Sequence, residues 1–289
     1  MLRQRSISAV GVVLFAAIPA LLGGPVFAAA LAIITVLGIH ELVRALHGRI
    51  DPTTRLLAYL AGVALIVSAA LAGTGPALTA IITLFVILAL VAGVLRTAVE
   101  AGLASWSAGV VAVVYVALPL AYAVALRNLH GPASQPWVNQ VSGWLAGDTG
   151  VGLAWIGVVF AVTWLTDTAA YLAGRSFGKT KLAPKLSPGK TRVGSVAGLV
   201  AGVLAGPLAA WVFGAPVGIV TAACLGLALS VTGELGDLGE SLIKRNLGIK
   251  DMGSLIPGHG GVLDRIDALL FTFPVTFLLV RLLEWVGWT

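Results

Sequence analysis

The sequence predicts an all-α fold, a polytopic integral membrane bundle of about nine transmembrane helices, and three observations carry that expectation. Of 289 residues, 58% are hydrophobic and only 10% charged, whereas a soluble globular domain carries about 25% charged residues. Mean hydropathy is +1.01. The apolar residues fall in runs of roughly 20, the length an α-helix needs to cross the hydrocarbon core.

The first span, 6–23, follows Arg3 and Arg5. It also reads as a cleaved signal peptide, with small residues at Ala28 to Ala30. A retained helix is preferred, because the next span follows at once and leaves no exported domain to release. The second and third spans, 26–46 and 55–73, flank Arg44, Arg49 and Arg55. The fourth and fifth, 76–95 and 105–126, flank Arg96. The sixth and seventh, 151–173 and 195–215, flank a basic loop. The eighth and ninth, 217–238 and 264–286, flank Lys244, Arg245, Lys250 and Arg265.

With the N-terminus inside, only Arg127 and Arg281 of the 18 basic residues fall on the outside. That bias follows the positive-inside rule for an N-in, C-out topology, so the net charge of +6 reads as a topology signal, and no nucleic-acid partner is expected. Cys224, the only cysteine, sits in an apolar run and reads as packing, since one cysteine supports no disulfide within the chain. The sizeable outside loop, 127–150, holds Trp137 and Trp144, which read as interface anchors.

Charge crowds into the second half. Asp167, Glu234, Asp237, Asp264 and Asp267 lie in or at the ends of spans, where an unpaired ionised group costs several kcal/mol. For any one acid, a salt bridge to Lys244, Arg245 or Arg265 is as good an account as function. Grouping favours a site. Glu234 and Asp237 are three apart, as are Asp264 and Asp267, so each pair can project from one helix face. Such an oxygen-rich set suits Mg²⁺, with a second cation as an option.

From Arg175 to Arg192 the loop has six basic residues and no acid, with Gly174, Gly178 and Gly189 in or beside it. Cationic side chains neutralise phosphate, and glycines admit backbone N–H groups to it. A loop attracted to anionic lipid has the same composition. Gly-Lys-Thr at 178–180 and 189–191 suggests a Walker A motif, but Ala173 and Pro184 stand where its first glycine belongs.

The most informative stretch is Ser241-Leu-Ile-Lys244-Arg245-Asn-Leu-Gly-Ile-Lys250-Asp251-Met-Gly253-Ser-Leu-Ile-Pro257-Gly258-His259-Gly260-Gly261-Val-Leu-Asp264-Arg265-Ile-Asp267. It resembles the signature of the phosphatidate cytidylyltransferase family, the CDP-diacylglycerol synthases. Upstream, Asp167 to Lys179, including Tyr171, and Ser187-Pro188-Gly189-Lys190-Thr191 also resemble that family. The likeness covers roughly residues 160–270. One departure stands out: after Lys-Thr the family commonly has an aromatic residue, glutamate and glycine, whereas this chain has Arg192, Val193 and Gly194.

The resemblance implies that a phosphatidate oxygen attacks the α-phosphorus of CTP in line and releases pyrophosphate, with no covalent enzyme intermediate. The expected catalytic set is Asp237, Asp264, Asp267, Lys244, Arg245 and His259, with Asp237 and Asp264 as the Mg²⁺ ligands, Asp267 and Asp167 as secondary candidates and Glu234 as a partner beside them. Lys179, Ser187, Lys190, Thr191, Ser241, Lys250, Arg265 and Tyr171 are the expected substrate contacts.

The expected partners are CTP, phosphatidate and membrane lipid, with a homodimer compatible with such a bundle. The expected location is the cell membrane, with the site facing the cytoplasm. Functionally the chain divides into 1–150, about five spans plus the outside loop, and 151–289, about four catalytic spans with the basic loop 174–194 and signature loop 239–267. The alternatives are a CTP-using enzyme acting on another lipid, either an ether-lipid cytidylyltransferase or a polyprenol or phytol kinase, and, from a different class, a cation transporter.

Overall fold

The computed structural model describes residues 11, 14–46, 48–95, 99–256 and 260–287, with the side chains of 99 and 100 left aside. After a helical stretch α1 at 14–22 come α2 (Gly24–Ala45), α3 (Pro52–Ala72), α4 (Pro76–Val94), α5 (Val99–Ala112), a π-helical turn (Val113–Ala117) and α6 (Leu118–Arg127). Then follow α7 (Pro136–Ala146), α8 (Val151–Phe177), β1 (Lys181–Ala183), β2 (Ser187–Thr191), α9 (Arg192–Phe213), α10 (Ile219–Asn246) and α11 (Leu263–Trp285). Among the described residues, eight helical segments are long and apolar enough to cross a membrane, each matching one of the last eight expected spans. Of the first expected span, 6–23, residues 6–10, 12 and 13 lie outside the described residues, and α1 occupies 14–22.

The chain forms two compact units. One contains Gly24–Asn128 and Leu247–Arg265, so the latter part of the signature loop packs with the N-terminal helices. There, Pro52 opens α3 and Asp51 caps it, accepting from the Thr53 and Thr54 N–H groups at 2.9 and 3.1 Å. This meets donors that a helix start otherwise leaves without partners. Ser105 on α5 in turn donates to Asp51 at 2.5 Å, tying the start of α3 to α5.

The other unit contains Leu129–Asn246 and residues from Ile266 onward. Its frame is the packing of α8, α9 and α10. Gly194, Gly198, Gly202 and Gly206 recur every fourth residue on α9 and are all buried, so they form one face. A Cβ at Gly194 would lie 2.7 Å from the Ala170 carbonyl of α8, and one at Gly202 would overlap Ser230 of α10. Small residues let helices in lipid approach to backbone contact, where dispersion replaces the absent hydrophobic force. Ser230 and Thr166 hydrogen-bond at 3.0 Å across α10 and α8.

The basic loop is not irregular throughout. β1 and β2 form an antiparallel hairpin, pairing Lys181 with Thr191 and Ala183 with Ser187. Thr191 then caps α9, its hydroxyl accepting from the Gly194 N–H at 3.1 Å. Gly178 and Gly174 pack against that threonine, and a Cβ at Gly178 would stand 2.5 Å from its Oγ1. The glycines therefore give close backbone packing, a role the basic composition concealed.

Candidate active site

In the second unit, carboxylates from three helices converge electrostatically: Asp167 on α8, Glu234 and Asp237 on α10, and Asp267 on α11. Asp167 lies in the field of Lys190, Asp237 and Glu234, and Asp267 in that of Asp237, Asp167 and Lys244. Helix α10 runs to Asn246, eight residues beyond its expected end, and so carries Glu234, Asp237, Glu240, Ser241, Lys244 and Arg245 as one rigid array.

Glu234 and Asp237 face the same neighbourhood, as their spacing predicts. Ser195 in the first turn of α9 donates to Glu234 at 2.5 Å, and Lys190 at the end of β2 pairs with Asp237 at 2.9 Å. Ser241 donates to the other Asp237 oxygen at 3.5 Å. Lys244 pairs with Glu240, fully buried on the same helix, at 2.5 Å. Arg245 donates from Nε to the Leu186 carbonyl at 3.1 Å and so holds the hairpin turn to α10. Asp267 accepts from the Ala268 N–H at 2.8 Å. Its carbonyl would lie 2.7 Å from a Cβ at Gly236, so α11 and α10 touch here backbone to backbone.

The remaining expected residues occupy distinct settings. Lys179 is exposed just before β1, and Ser187 is half-buried at the start of β2. Tyr171 is exposed and accepts from Arg175 at 3.1 Å. The buried Thr191 hydroxyl is engaged as a helix cap. Asp264, Lys250 and Arg265 belong to the first unit, the latter two being exposed. Asp264 is buried, and its Oδ2 accepts from the Met252 and Gly261 N–H groups at 2.9 and 2.8 Å. His259 lies outside the described residues. Val193, where the family pattern has glutamate, is 42% exposed in the first turn of α9.

The sequence reading missed two contributors. Ser195 gives no signal of its own. Glu41, buried near the C-terminal end of α2, accepts from the Val262 and Leu263 N–H groups through both oxygens. Its signal was available: an acid in an apolar span marks a position that needs a partner.

Among the described residues, no three His, Cys, Asp or Glu side chains close into a metal shell. Mg²⁺ asks for less, taking one or two carboxylates and completing its octahedron with water and substrate phosphates. The all-oxygen set of Asp167, Asp237 and Asp267 fits that demand.

The all-α membrane fold, with acids and lysines gathered in its second unit, is that of a membrane-embedded nucleotidyltransferase by its relatives. The chain belongs to the cytidylyltransferase family, which matches residues 3–283. It is similar to a phosphatidate cytidylyltransferase of Synechocystis sp., with 34% identity over 294 residues and 97% of each chain covered. It is also similar to that of Brucella suis, 47% identical over 134 residues, covering 46% of this chain and 49% of the relative. A third, from Bacillus subtilis, is 34% identical over 171 residues, covering 59% and 56%. In the latter two alignments the chain spans about half the relative's length.

Proposed function

We propose that this chain converts CTP and phosphatidate to CDP-diacylglycerol and pyrophosphate. The observation that carries the reading is the end-to-end likeness to the Synechocystis phosphatidate cytidylyltransferase, supported by the clustered acids and lysines of the second unit. An oxygen of the phosphatidate phosphate forms a bond to the α-phosphorus of CTP, and the bond from that phosphorus to the α,β-bridging oxygen breaks. The electron pair leaves with pyrophosphate. Such a transfer calls for alignment and charge neutralisation rather than a protein nucleophile.

Asp237, Asp167 and Asp267 are assigned to hold Mg²⁺, with Asp264 as a further candidate ligand and a second cation as an option. When bound, the ion supplies charge neutralisation at the phosphates and a template for in-line geometry. Lys190 is poised by its ion pair. It neutralises Asp237 at 2.9 Å and is the donor nearest to hand when a triphosphate arrives. Lys244 and Arg245 extend the cationic side of the same helix, while Lys179, Ser187, Lys250, Arg265 and Tyr171 are assigned to substrate contacts. His259 is assigned to phosphate contact or proton transfer.

The basic hairpin and the last turns of α10 belong on the cytoplasmic side in the N-in topology, where CTP is available and phosphatidate presents its headgroup. The reading puts the protein in the cell membrane, with no nucleic-acid partner and with a homodimer as a compatible assembly. Family membership leaves the kinase and transporter alternatives without an observation of their own. The deciding experiment is Mg²⁺-dependent conversion of radiolabelled CTP and phosphatidate to lipid-extractable CDP-diacylglycerol by purified protein. CDP release with a phosphorylated alcohol would instead indicate a kinase.

A further inference from the structure

Helix α11 begins at Leu263, and the two residues before it, Gly261 and Val262, carry no polar side chain. An acceptor for the backbone there comes from another helix. Glu41, only 3% exposed, accepts from the Val262 N–H through Oε1 at 2.9 Å and from the Leu263 N–H through Oε2 at 3.0 Å. Toward the C-terminal end of α2 its carboxylate gains nothing from its own helix dipole, and at the start of α11 it meets the favourable one. Two glycines admit it. A Cβ at Gly261 would lie 2.5 Å from Oε2, and one at Gly253 would overlap Oε1.

We infer that Glu41 is a positioning residue for the reaction: it fixes the start of α11 and the backbone of the signature loop around it, and through them Asp264. The inference rests on the proposed cytidylyl transfer. Asp264 lies in the first turn of α11, so the helix start sets where it is held. A misplacement near 1 Å far from the reacting atoms can cost about 10²-fold in rate. The sequence reading placed the catalytic spans in 151–289, and Glu41 gives one of the N-terminal spans a role in the chemistry.

The test uses full-length protein in lipid nanodiscs, with Glu41→Gln, Glu41→Ala, Gly261→Ala and the Glu41→Ala/Gly261→Ala double variant. Glu41→Gln keeps the volume but sets an amide N–H₂ against one backbone N–H. It is expected to lower kcat for CDP-diacylglycerol by about tenfold or more while the KM for CTP stays within about threefold. Amide exchange at Val262 and Leu263 should quicken by about tenfold or more as the cap is lost. In the Glu41→Ala background, with the carboxylate gone, Gly261→Ala should cost nothing further. Wild-type kcat in Glu41→Gln, unchanged exchange, or losses that simply multiply in the double variant would each overturn the inference. A wild type that forms no CDP-diacylglycerol would sink the substrate reading alone, and the exchange measurement would still decide the cap.

Discussion

Lys190 Nζ stands 2.9 Å from Asp237 Oδ2, joining the end of the basic hairpin to the acid-bearing face of α10. The pair links the two halves of the proposed chemistry, since the acid is assigned to the cation and the lysine to phosphate. Neither side chain is deeply buried, at 22% and 38% exposure, so the pair can open for ligand without a large desolvation cost.

Asp237→Asn and Asp267→Asn should each lower kcat by about 10²-fold or more, the scale of losing one aligned electrostatic group, while the protein elutes as wild type in detergent. Steady-state kinetics with CTP and phosphatidate measure this. Near-wild-type turnover in either variant would remove that acid from the cation site.

Lys190→Ala should raise the KM for CTP and lower kcat, and Asp237→Asn should cost less in that background than alone. Coupling of about 0.5–3 kcal/mol in a double-mutant cycle is the expected size for directly paired groups. Strict additivity would mean that the pair has no part in turnover.

Asp264 separates fold from chemistry. Replacing it with alanine removes the acceptor for the Met252 and Gly261 N–H groups, at about 2–6 kcal/mol for two buried donors left unmet. Asp264→Asn can still accept through its amide oxygen, so it should remain folded yet lose turnover if the carboxylate ligates the ion. Thermal unfolding and activity measured on both variants distinguish the two roles.

Chelation of divalent cations with EDTA should abolish product formation, and added Mg²⁺ should restore it in full. Turnover that persists after exhaustive chelation would disconnect the acidic group from any cation.

Val193→Glu restores the residue common in the family pattern at an exposed first-turn position of α9. An acid there complements the helix dipole and should raise stability by about 0.3–1 kcal/mol, with kcat within about twofold of wild type. A large rise in kcat would show that the site is incomplete without that acid. Nothing in the structure explains why valine stands there.

The helices were legible because an apolar run of one bilayer thickness has few alternative structures, and each described span follows one such run. Their ends were not. Hydropathy fades where α10 becomes polar at Asp237 to Asn246, yet hydrogen bonding carries the helix on, and that extension holds Lys244 and Arg245. The hairpin was invisible because Ser187-Pro188-Gly189-Lys190-Thr191 shows neither alternation nor β-branched enrichment; Arg245, and Gly174 and Gly178 against Thr191, hold it instead. The acids of α8 and α10 stood out as costly in a membrane. Glu41 was equally costly, but its partner lies 221 residues away, beyond any local pattern.

That distance orders events during synthesis. At about 5–20 residues per second, Glu41 emerges roughly 10–40 s before the amides it will meet. For that interval α2 holds a carboxyl group in a span whose native partner has not yet been made. The contact closes when the ninth expected span arrives, so the N-terminal bundle cannot reach its final form until the last helix is in place. Truncation before α11 would leave this acid exposed to lipid or to the quality-control machinery that surveys unassembled helices.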